Sequence, residues 1–140
     1  MTVVMAEAPI PVDLTRAERA SGHLALWTAT ILLKALPLRH CLTVTRALRH
    51  ATARRPASCD EAVRHRAAVR SAARLHPGRV ACLETALATT LAAAAHRRHT
   101  HLVLGARFDP LELHAWTTTG DRIIGEQAEL DRELHPVHTL

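Results

Sequence analysis

The sequence predicts an α+β fold, in which N-terminal helices precede one further helix packed on a small antiparallel sheet. Two observations carry this prediction. Up to about residue 95, alanine, leucine and arginine recur at helical spacing between proline interruptions. From residue 101 onwards, short apolar runs are separated by Asp-Pro and Gly-Asp turn signals, which is typical of strands joined by tight turns. We expect the 140 residues to form a single domain, 1–140.

The first part of this domain is predicted to be an extended arm over residues 1–13. The arm contains Pro9 and Pro11, and it lacks both the basic start and the long apolar core of a signal peptide. A cytoplasmic location is therefore expected. The rest of the domain divides into a helical part, residues 14–75, and a catalytic core, residues 76–140.

The helical part is predicted to hold three helices: residues 14–35, 38–53 and 58–75. Residues with short polar side chains stand at their starts. Asp13 or Thr15 can cap the first helix and Ser58 the third, where Asp60 and Glu61 place negative charge in the first turn.

Two stretches in these helices are candidates for contact with a partner. Residues 24–36 are strongly apolar, but their uncharged run of ten residues is shorter than the roughly 20 needed to span a bilayer. We interpret this stretch as a core or partner-binding helix, and a membrane partner is not expected. In the second helix, Leu42, Val44 and Leu48 are expected to face inward, while several arginines form a solvated face or a docking surface.

Cys82 is the candidate nucleophile. It follows Pro77 and Gly78 and opens a long alanine-rich helical run. A thiol in the first turn of a helix is stabilised as thiolate by backbone N–H groups and by the helix dipole, and the thiolate is the nucleophile. The alternative is a buried structural cysteine. We interpret Cys41 and Cys59 as structural, and three cysteines, an odd number, argue against a disulfide framework.

His114 is the candidate general base. It lies in a predicted strand over residues 111–118, where alternation places it on the same face as Trp116. An acidic side chain is then needed to hold the tautomer and orientation of the imidazole. Asp121, in the predicted hairpin turn, and Glu126, after the next strand, are the two candidates. Glu126 is favoured because its strand can run back beside His114, whereas aspartate is common in tight turns for conformational reasons alone.

Four stretches, in this order, resemble the lasso-peptide maturation peptidases, small bacterial proteins with a transglutaminase-like core. They are Arg79-Val80-Ala81-Cys82-Leu83-Glu84, Leu102-Val103-Leu104-Gly105-Ala106-Arg107-Phe108, His114-Ala115-Trp116 and Gly125-Glu126. The resemblance covers about residues 76–128. It implies a papain/transglutaminase-like core and a triad of Cys82, His114 and Glu126, the last at a position where many members carry aspartate. It also implies a leader peptidase, and no cofactor is expected.

The same resemblance implies the partners. The substrate would be a ribosomally made precursor peptide, a small recognition protein would present its leader, and a separate ATP-dependent lasso cyclase would close the macrolactam. The formal net charge of +5 suits an anionic peptide or protein surface. Nucleic acid is not expected, because aromatic residues make up only 2% of the chain and no zinc or helix-turn-helix pattern is present.

The expected mechanism is nucleophilic catalysis through a thioester on Cys82, whose backbone N–H would be one oxyanion donor, with His76 a weak candidate for a second. A transglutaminase-like acyltransferase would share the chemistry as far as the thioester. A non-catalytic peptide-binding scaffold would keep only the fold. Both alternatives stay open at this point.

No metal site is expected. His96 and His99 are three residues apart, a spacing that puts them on one face of a helix. No cysteine or carboxylate set accompanies them at a zinc spacing, and the adjacent arginines would repel a cation. His135 and His138 are interpreted as surface residues.

Overall fold

The computed structural model describes residues 13–52, 54–107, 112–120, 122–124 and 134–140. Within these ranges the fold is mixed α+β, which confirms the predicted class. The helices are α1 (Arg16–Ala35), α2 (Leu38–Thr52), α3 (Cys59–Ala73) and α4 (Cys82–Ala95). The strands are β1 (Arg55–Pro56), β2 (Arg98–His99), β3 (His101–Arg107), β4 (Glu112–Thr119), β5 (Arg122–Ile124) and β6 (Leu134–Thr139).

The larger sheet has the strand order β5-β4-β3-β6, and all its neighbouring strands are antiparallel. In the central pair, Gly105 of β3 lies opposite His114 of β4. The smaller sheet is the parallel pair of β1 and β2, which joins the connection between α2 and α3 to the segment that follows α4. One face of the larger sheet packs against a helix.

The helix that covers this face is α4. Every residue from Ala86 to Ala94 is buried. Leu87 and Leu91 share one hydrophobic cluster with Leu26 of α1 and with side chains of the sheet. Full burial of a leucine stabilises a fold by about 1.5–3 kcal/mol. The alanines between these leucines let neighbouring elements come close, so α4 is held firmly against the sheet along its length.

The contact between α1 and α3 is closer than a side chain at residue 22 would allow. A Cβ atom built on Gly22 would lie 2.5 Å from the backbone oxygen of Ala68. The caps beside this contact are as predicted: the Thr15 hydroxyl accepts the N–H of Glu18 in α1, and Ser58 opens α3. Arg64 of α3 forms a 2.8 Å ion pair with Glu18, which adds a polar contact between the two helices.

The expected inward face of α2 is wrong for two of its three residues. Val44 and Leu48 are 42% and 40% exposed, and Leu42 is half-buried. The buried residues of α2 are instead Cys41 and Thr45. Both donate hydrogen bonds to backbone carbonyl groups, so their polar atoms are satisfied without water. The pattern of apolar and polar residues in the sequence does not indicate such hydrogen bonds.

Strand β6 and the β1–β2 pair were not anticipated by the sequence pattern. β6 carries Pro136, and proline removes a strand N–H, which a sheet tolerates at an edge or beside a bulge. β6 is an edge strand of the larger sheet, with a register shift opposite Leu104 and Gly105. His138 is exposed, as expected, but it lies within this strand, and His135 pairs in register with Ala106.

Two further expectations have separate outcomes. The arm predicted over residues 1–13 falls, except for Asp13, outside the described residues. Of the helices described, none combines the length and apolar character that a bilayer span requires.

Candidate active site

Cys82 is the first residue of α4. The residue before it, Ala81, has the extended backbone of a helix N-cap, with φ −96° and ψ −177°. Its methyl group cannot accept a hydrogen bond. The Glu84 carboxylate does accept the N–H of Ala81, at 3.1 Å, so one half of a capping box is present. The capping residue therefore offers no side-chain acceptor to the first-turn N–H groups beside Cys82.

The structure brings Cys82 and His114 together. A hydrogen bond to the His114 side chain is the largest influence on the Cys82 thiol, and it lowers the thiol pKa. Partial burial of Cys82 opposes this change, while backbone hydrogen bonds from Ala115 and Leu83 reinforce it, and the net result is a lowered pKa. Thiolate is consequently available at lower pH than for an ordinary cysteine. The sequence predicted contact between these two side chains, and the structure shows a hydrogen bond between them.

The strand that presents His114 has two different faces. Ala115 and Thr117 face α4, where Ala115 joins the main hydrophobic cluster and the Thr117 hydroxyl bonds to a carbonyl of α4. Trp116 packs on the other face with Val103. The ring of His114 lies on the Trp116 side, with ring centroids 6.0 Å apart and planes inclined by 21°. The imidazole and the indole therefore share one face of the strand, as the predicted alternation requires.

The acidic partner of the imidazole is not placed by the structure. Glu126 and the alternative Asp121 both lie outside the described residues. Gly120, which precedes Asp121, is described, and its φ of +57° is the left-handed conformation of a tight turn. This geometry supports the predicted hairpin between β4 and β5, whose pairing the sheet shows.

The segment that leads from α3 to Cys82 is anchored by His76. Its Nδ1 accepts the N–H of Gly78 at 3.1 Å, and its Nε2 lies 3.5 Å from the hydroxyl of Thr30 in α1. Its ring also contacts the indole of Trp27, with centroids 4.6 Å apart. Because Nδ1 is an acceptor, the proton of a neutral ring is on Nε2. These contacts direct His76 towards α1, so its role here is to hold the segment.

The other two cysteines differ from Cys82 in their surroundings. Cys41 is fully buried, and this burial raises the pKa of its thiol. Cys59 is the first residue of α3 and packs at the edge of a small cluster with Ala57 and Ala62. All three cysteines are free thiols. The interpretation of Cys41 and Cys59 as structural is consistent with these positions.

The histidine-rich stretch after α4 is arranged differently from the expectation. The helix ends at Ala95, Arg97 has φ +60°, and His99 belongs to β2, so His96 and His99 do not share a helical face. His96 instead lies beside the buried His65, with ring centroids 5.0 Å apart. Among the residues that the structure describes, no group of histidine, cysteine and acidic side chains could hold a metal ion.

Comparison with protein families identifies the fold. The model of the transglutaminase-like superfamily matches residues 24–139, which is most of the chain. The chain belongs to this superfamily. Searches among curated proteins and among solved structures gave no match. Membership of the transglutaminase-like superfamily indicates chemistry of the cysteine-peptidase or acyltransferase type, which fits a thiol whose pKa is lowered by a hydrogen bond to an imidazole.

Three contributors to this transglutaminase-like site were missed from the sequence. The backbone groups of Ala115 and Leu83 act on the Cys82 sulfur, and no side-chain pattern encodes a backbone contact. The third is the Glu84 carboxylate. Its signal was present as Ala81-Cys82-Leu83-Glu84, a capping-box spacing in which the first serine or threonine is replaced by alanine.

Proposed function

We propose that this chain is a cysteine peptidase that removes the leader from a ribosomally synthesised lasso-peptide precursor. The observation that carries the proposal is the hydrogen bond between Cys82 and His114, which lowers the pKa of a thiol at a helix N-terminus. Membership of the transglutaminase-like superfamily supports the reaction type. The resemblance of the segments around Cys82 and His114 to lasso-peptide maturation peptidases supports the choice of substrate.

In the proposed reaction, His114 takes the proton of the Cys82 thiol. The thiolate sulfur attacks the carbonyl carbon of the bond between leader and core, and the carbonyl oxygen becomes an oxyanion. The backbone N–H of Cys82, in the first turn of α4, donates a hydrogen bond to this oxygen in the proposed step. The imidazolium then gives its proton to the departing amine, which is the core peptide, and the leader remains as a thioester.

Hydrolysis completes the cycle. Water loses a proton to the neutral imidazole of His114 and attacks the thioester carbonyl, and the collapse of this second intermediate releases the leader carboxylate and the Cys82 thiol. Glu126 is the proposed third member of the triad, with Asp121 as the alternative. An acid in this role holds the imidazole tautomer and stabilises the imidazolium.

The proposed setting is a small assembly. A leader-recognition protein presents the precursor, this chain cuts it, and an ATP-dependent cyclase closes the ring on the released core. The net charge of +5 on this chain favours an acidic leader or an acidic surface on the recognition protein. Metal and cofactor have no part in the proposed steps, since the nucleophile and the base are both side chains of this chain.

The test is mass spectrometry of a candidate precursor peptide incubated with this protein and its leader-recognition protein. Wild-type protein is expected to yield two fragments, separated at the junction of leader and core. Cys82→Ala is expected to yield none, and His114→Ala to slow cleavage by roughly 10²–10⁴-fold. Cys59→Ala is the matched control, because Cys59 is also the first residue of a helix, and it is expected to cleave at the wild-type rate.

Each alternative has its own outcome. Full processing by Cys82→Ala would show that the protein is a non-catalytic scaffold. A product in which an added primary amine is joined to the leader, with little hydrolysis, would show a transglutaminase-like acyltransferase. Comparing Glu126→Gln with Asp121→Asn identifies the acid, since only the true partner of His114 should lower the rate strongly when its charge is removed.

A further inference from the structure

The outward face of α1 carries an apolar row that no helix or strand covers among the residues that the structure describes, although the His76 ring contacts Trp27. We call it the α1 stripe: Ala17, Ala20, Leu24, Trp27 and Ile31. All five are exposed, and the three large side chains are 69%, 45% and 59% exposed in chain order. The opposite face of α1 is the one that packs in the core. Large contiguous apolar surface on one helix face marks a site of association.

The spacing of the α1 stripe identifies the shape of what covers it. Successive members are three, four, three and four residues apart, which is the seam spacing that packs against a second helix. From Ala17 to Ile31 the seam is about 21 Å long, so a matching helix needs about four turns. Trp27 lies in the seam, and tryptophan is among the side chains that contribute most to interfaces.

The charges beside the α1 stripe identify the chemistry of its occupant. Arg16 and Lys34 stand near its two ends, and both are exposed. The acid of the α1 helix, Glu18, is held in a 2.8 Å ion pair with Arg64 of α3, so its charge is neutralised within the protein. A second copy of this chain would bring Arg16 against Lys34 in an antiparallel pair, or each against itself in a parallel pair. Like charges across a helix pair are destabilising, so a second copy is disfavoured.

We propose that the α1 stripe is the docking site for an amphipathic helix of another protein, with an apolar seam and aspartate or glutamate along its flanks. Such a helix buries Leu24, Trp27 and Ile31 and places its acids near Arg16 and Lys34. The inference rests on α1 alone and does not depend on the proposed peptidase activity.

Docking at this place also lies beside the segment that leads to Cys82. The Trp27 ring contacts His76, and His76 holds Gly78 in the segment that leads to Cys82. A helix seated on Trp27 therefore packs beside the anchor of the nucleophile segment. If the proposed function is correct, the docked helix brings its own chain to the side of the protein where this segment lies.

The test uses two synthetic helical peptides of about 20 residues with the same leucine seam, one flanked by glutamate and one by lysine. Binding is followed by titration calorimetry and by Trp27 fluorescence, with buried Trp116 as a constant background. The glutamate peptide is expected to bind, and the double variant Leu24→Gln, Ile31→Gln to weaken it at least about tenfold. The lysine peptide is expected to bind at least about tenfold more weakly than the glutamate peptide at low salt.

The matched control is the double variant Val44→Gln, Leu48→Gln, which changes two exposed apolar residues of α2 outside the α1 stripe. It is expected to bind the glutamate peptide as the wild type does. All variants carry surface changes, and circular dichroism with urea unfolding confirms that they fold. The alkylation rate of Cys82 should be the same in the α1 and α2 variants, so failure of docking and failure of the active-site proposal are told apart.

Several results would overturn the proposal. They are absence of binding by the glutamate peptide, equal loss of binding in the α2 control, and equal binding of the lysine peptide. Acrylamide that fails to quench Trp27 in the free chain would show that the chain itself covers the stripe. A dimer in sedimentation that is lost in Leu24→Gln would identify a second copy as the occupant. Binding to phosphatidylglycerol vesicles through Leu24 and Ile31, without peptide binding, would identify a membrane.

Discussion

The start of α4 can be stabilised by a single added oxygen. Helices α3 and α4 open with related tetrapeptides, Ser58-Cys59-Asp60-Glu61 and Ala81-Cys82-Leu83-Glu84. At α3 the capping box is complete: the serine hydroxyl accepts the N–H of Glu61, and the Glu61 carboxylate accepts the serine N–H, both at 3.1 Å. At α4 only the glutamate half exists, because alanine has no acceptor. Ala81→Ser restores the missing half.

The expected gain follows from this comparison. Ala81 already has the extended backbone of an N-cap, so serine can take up the same conformation without strain. A serine in place of alanine at an N-cap contributes typically about 1 kcal/mol, so the free energy of unfolding is expected to rise by about this amount. Ser58→Ala is the reciprocal change in the same molecule, and it is expected to lower the free energy of unfolding by a similar amount.

The assay is urea unfolding followed by circular dichroism, at pH 7 and constant temperature, for wild type and both variants. The two changes should move the midpoint in opposite directions with little change in slope. If Ala81→Ser leaves the midpoint unmoved while Ser58→Ala lowers it, the inference that the α4 cap lacks only an acceptor is refuted. Iodoacetamide alkylation of Cys82, followed by peptide mass spectrometry, shows in the same samples whether the added hydroxyl disturbs the thiol.

Three further changes test other parts of the structure. Gly22→Ala is expected to lower the free energy of unfolding by about 1–3 kcal/mol in urea, because its Cβ would lie 2.5 Å from the backbone oxygen of Ala68. Gly78→Ala is the control and is expected to be tolerated, because its Cβ would lie 3.4 Å from the His76 ring. Burial, with nearby His96 adding to it, lowers the pKa of His65 to about 4, so the folded state keeps this ring neutral. Stability should therefore be full above about pH 6.5 and fall by up to about 3 kcal/mol as the pH drops towards 4, and His65→Gln should flatten this part of the profile. Asparagine at position 76 can still accept the N–H of Gly78, so His76→Asn should keep the wild-type pH profile of Cys82 alkylation better than His76→Ala. Equal profiles for the two variants would show that His76 does not position the segment before Cys82.

The positions of Cys82 and His114 on a helix and a strand were predictable because each residue lies in a strong local pattern. Cys82 follows a Pro-Gly break and opens an apolar helix, and His114 lies in an alternating strand bounded by turns. The helix starts at Thr15 and Ser58 were predictable for a similar reason, since both carry an acceptor at the right distance from the first turn. Prediction of helices, strands and caps succeeded where the signal and its structural consequence lie within a few residues of each other. The contact between Cys82 and His114, 32 residues apart, was expected instead from the likeness to a papain- or transglutaminase-like site.

Prediction failed where distant parts of the chain decide the outcome. β6 is a strand because β3 offers it an edge, and nothing within Leu134–Thr139 indicates that pairing. Cys41 of α2 is buried with its thiol bonded to the Leu32 carbonyl of α1, a contact that the apolar pattern of α2 does not indicate, and Val44 and Leu48 are exposed. The role of His76 depends on α1, more than forty residues earlier in the chain. Such contacts require the assembled fold.

The missing side chain at Gly22 has a mechanical consequence for α1. Rotation of α1 about its axis would turn its exposed leucine, tryptophan and isoleucine inward, but it would expose the buried Ala25, Leu26 and Ala29. Rolling α1 would carry Gly22 away from the carbonyl of Ala68 and drive a neighbouring side chain into that carbonyl instead. The close contact at Gly22 therefore favours the orientation in which the α1 stripe faces outward. Burial of that stripe then requires a segment other than α1 to pack on it.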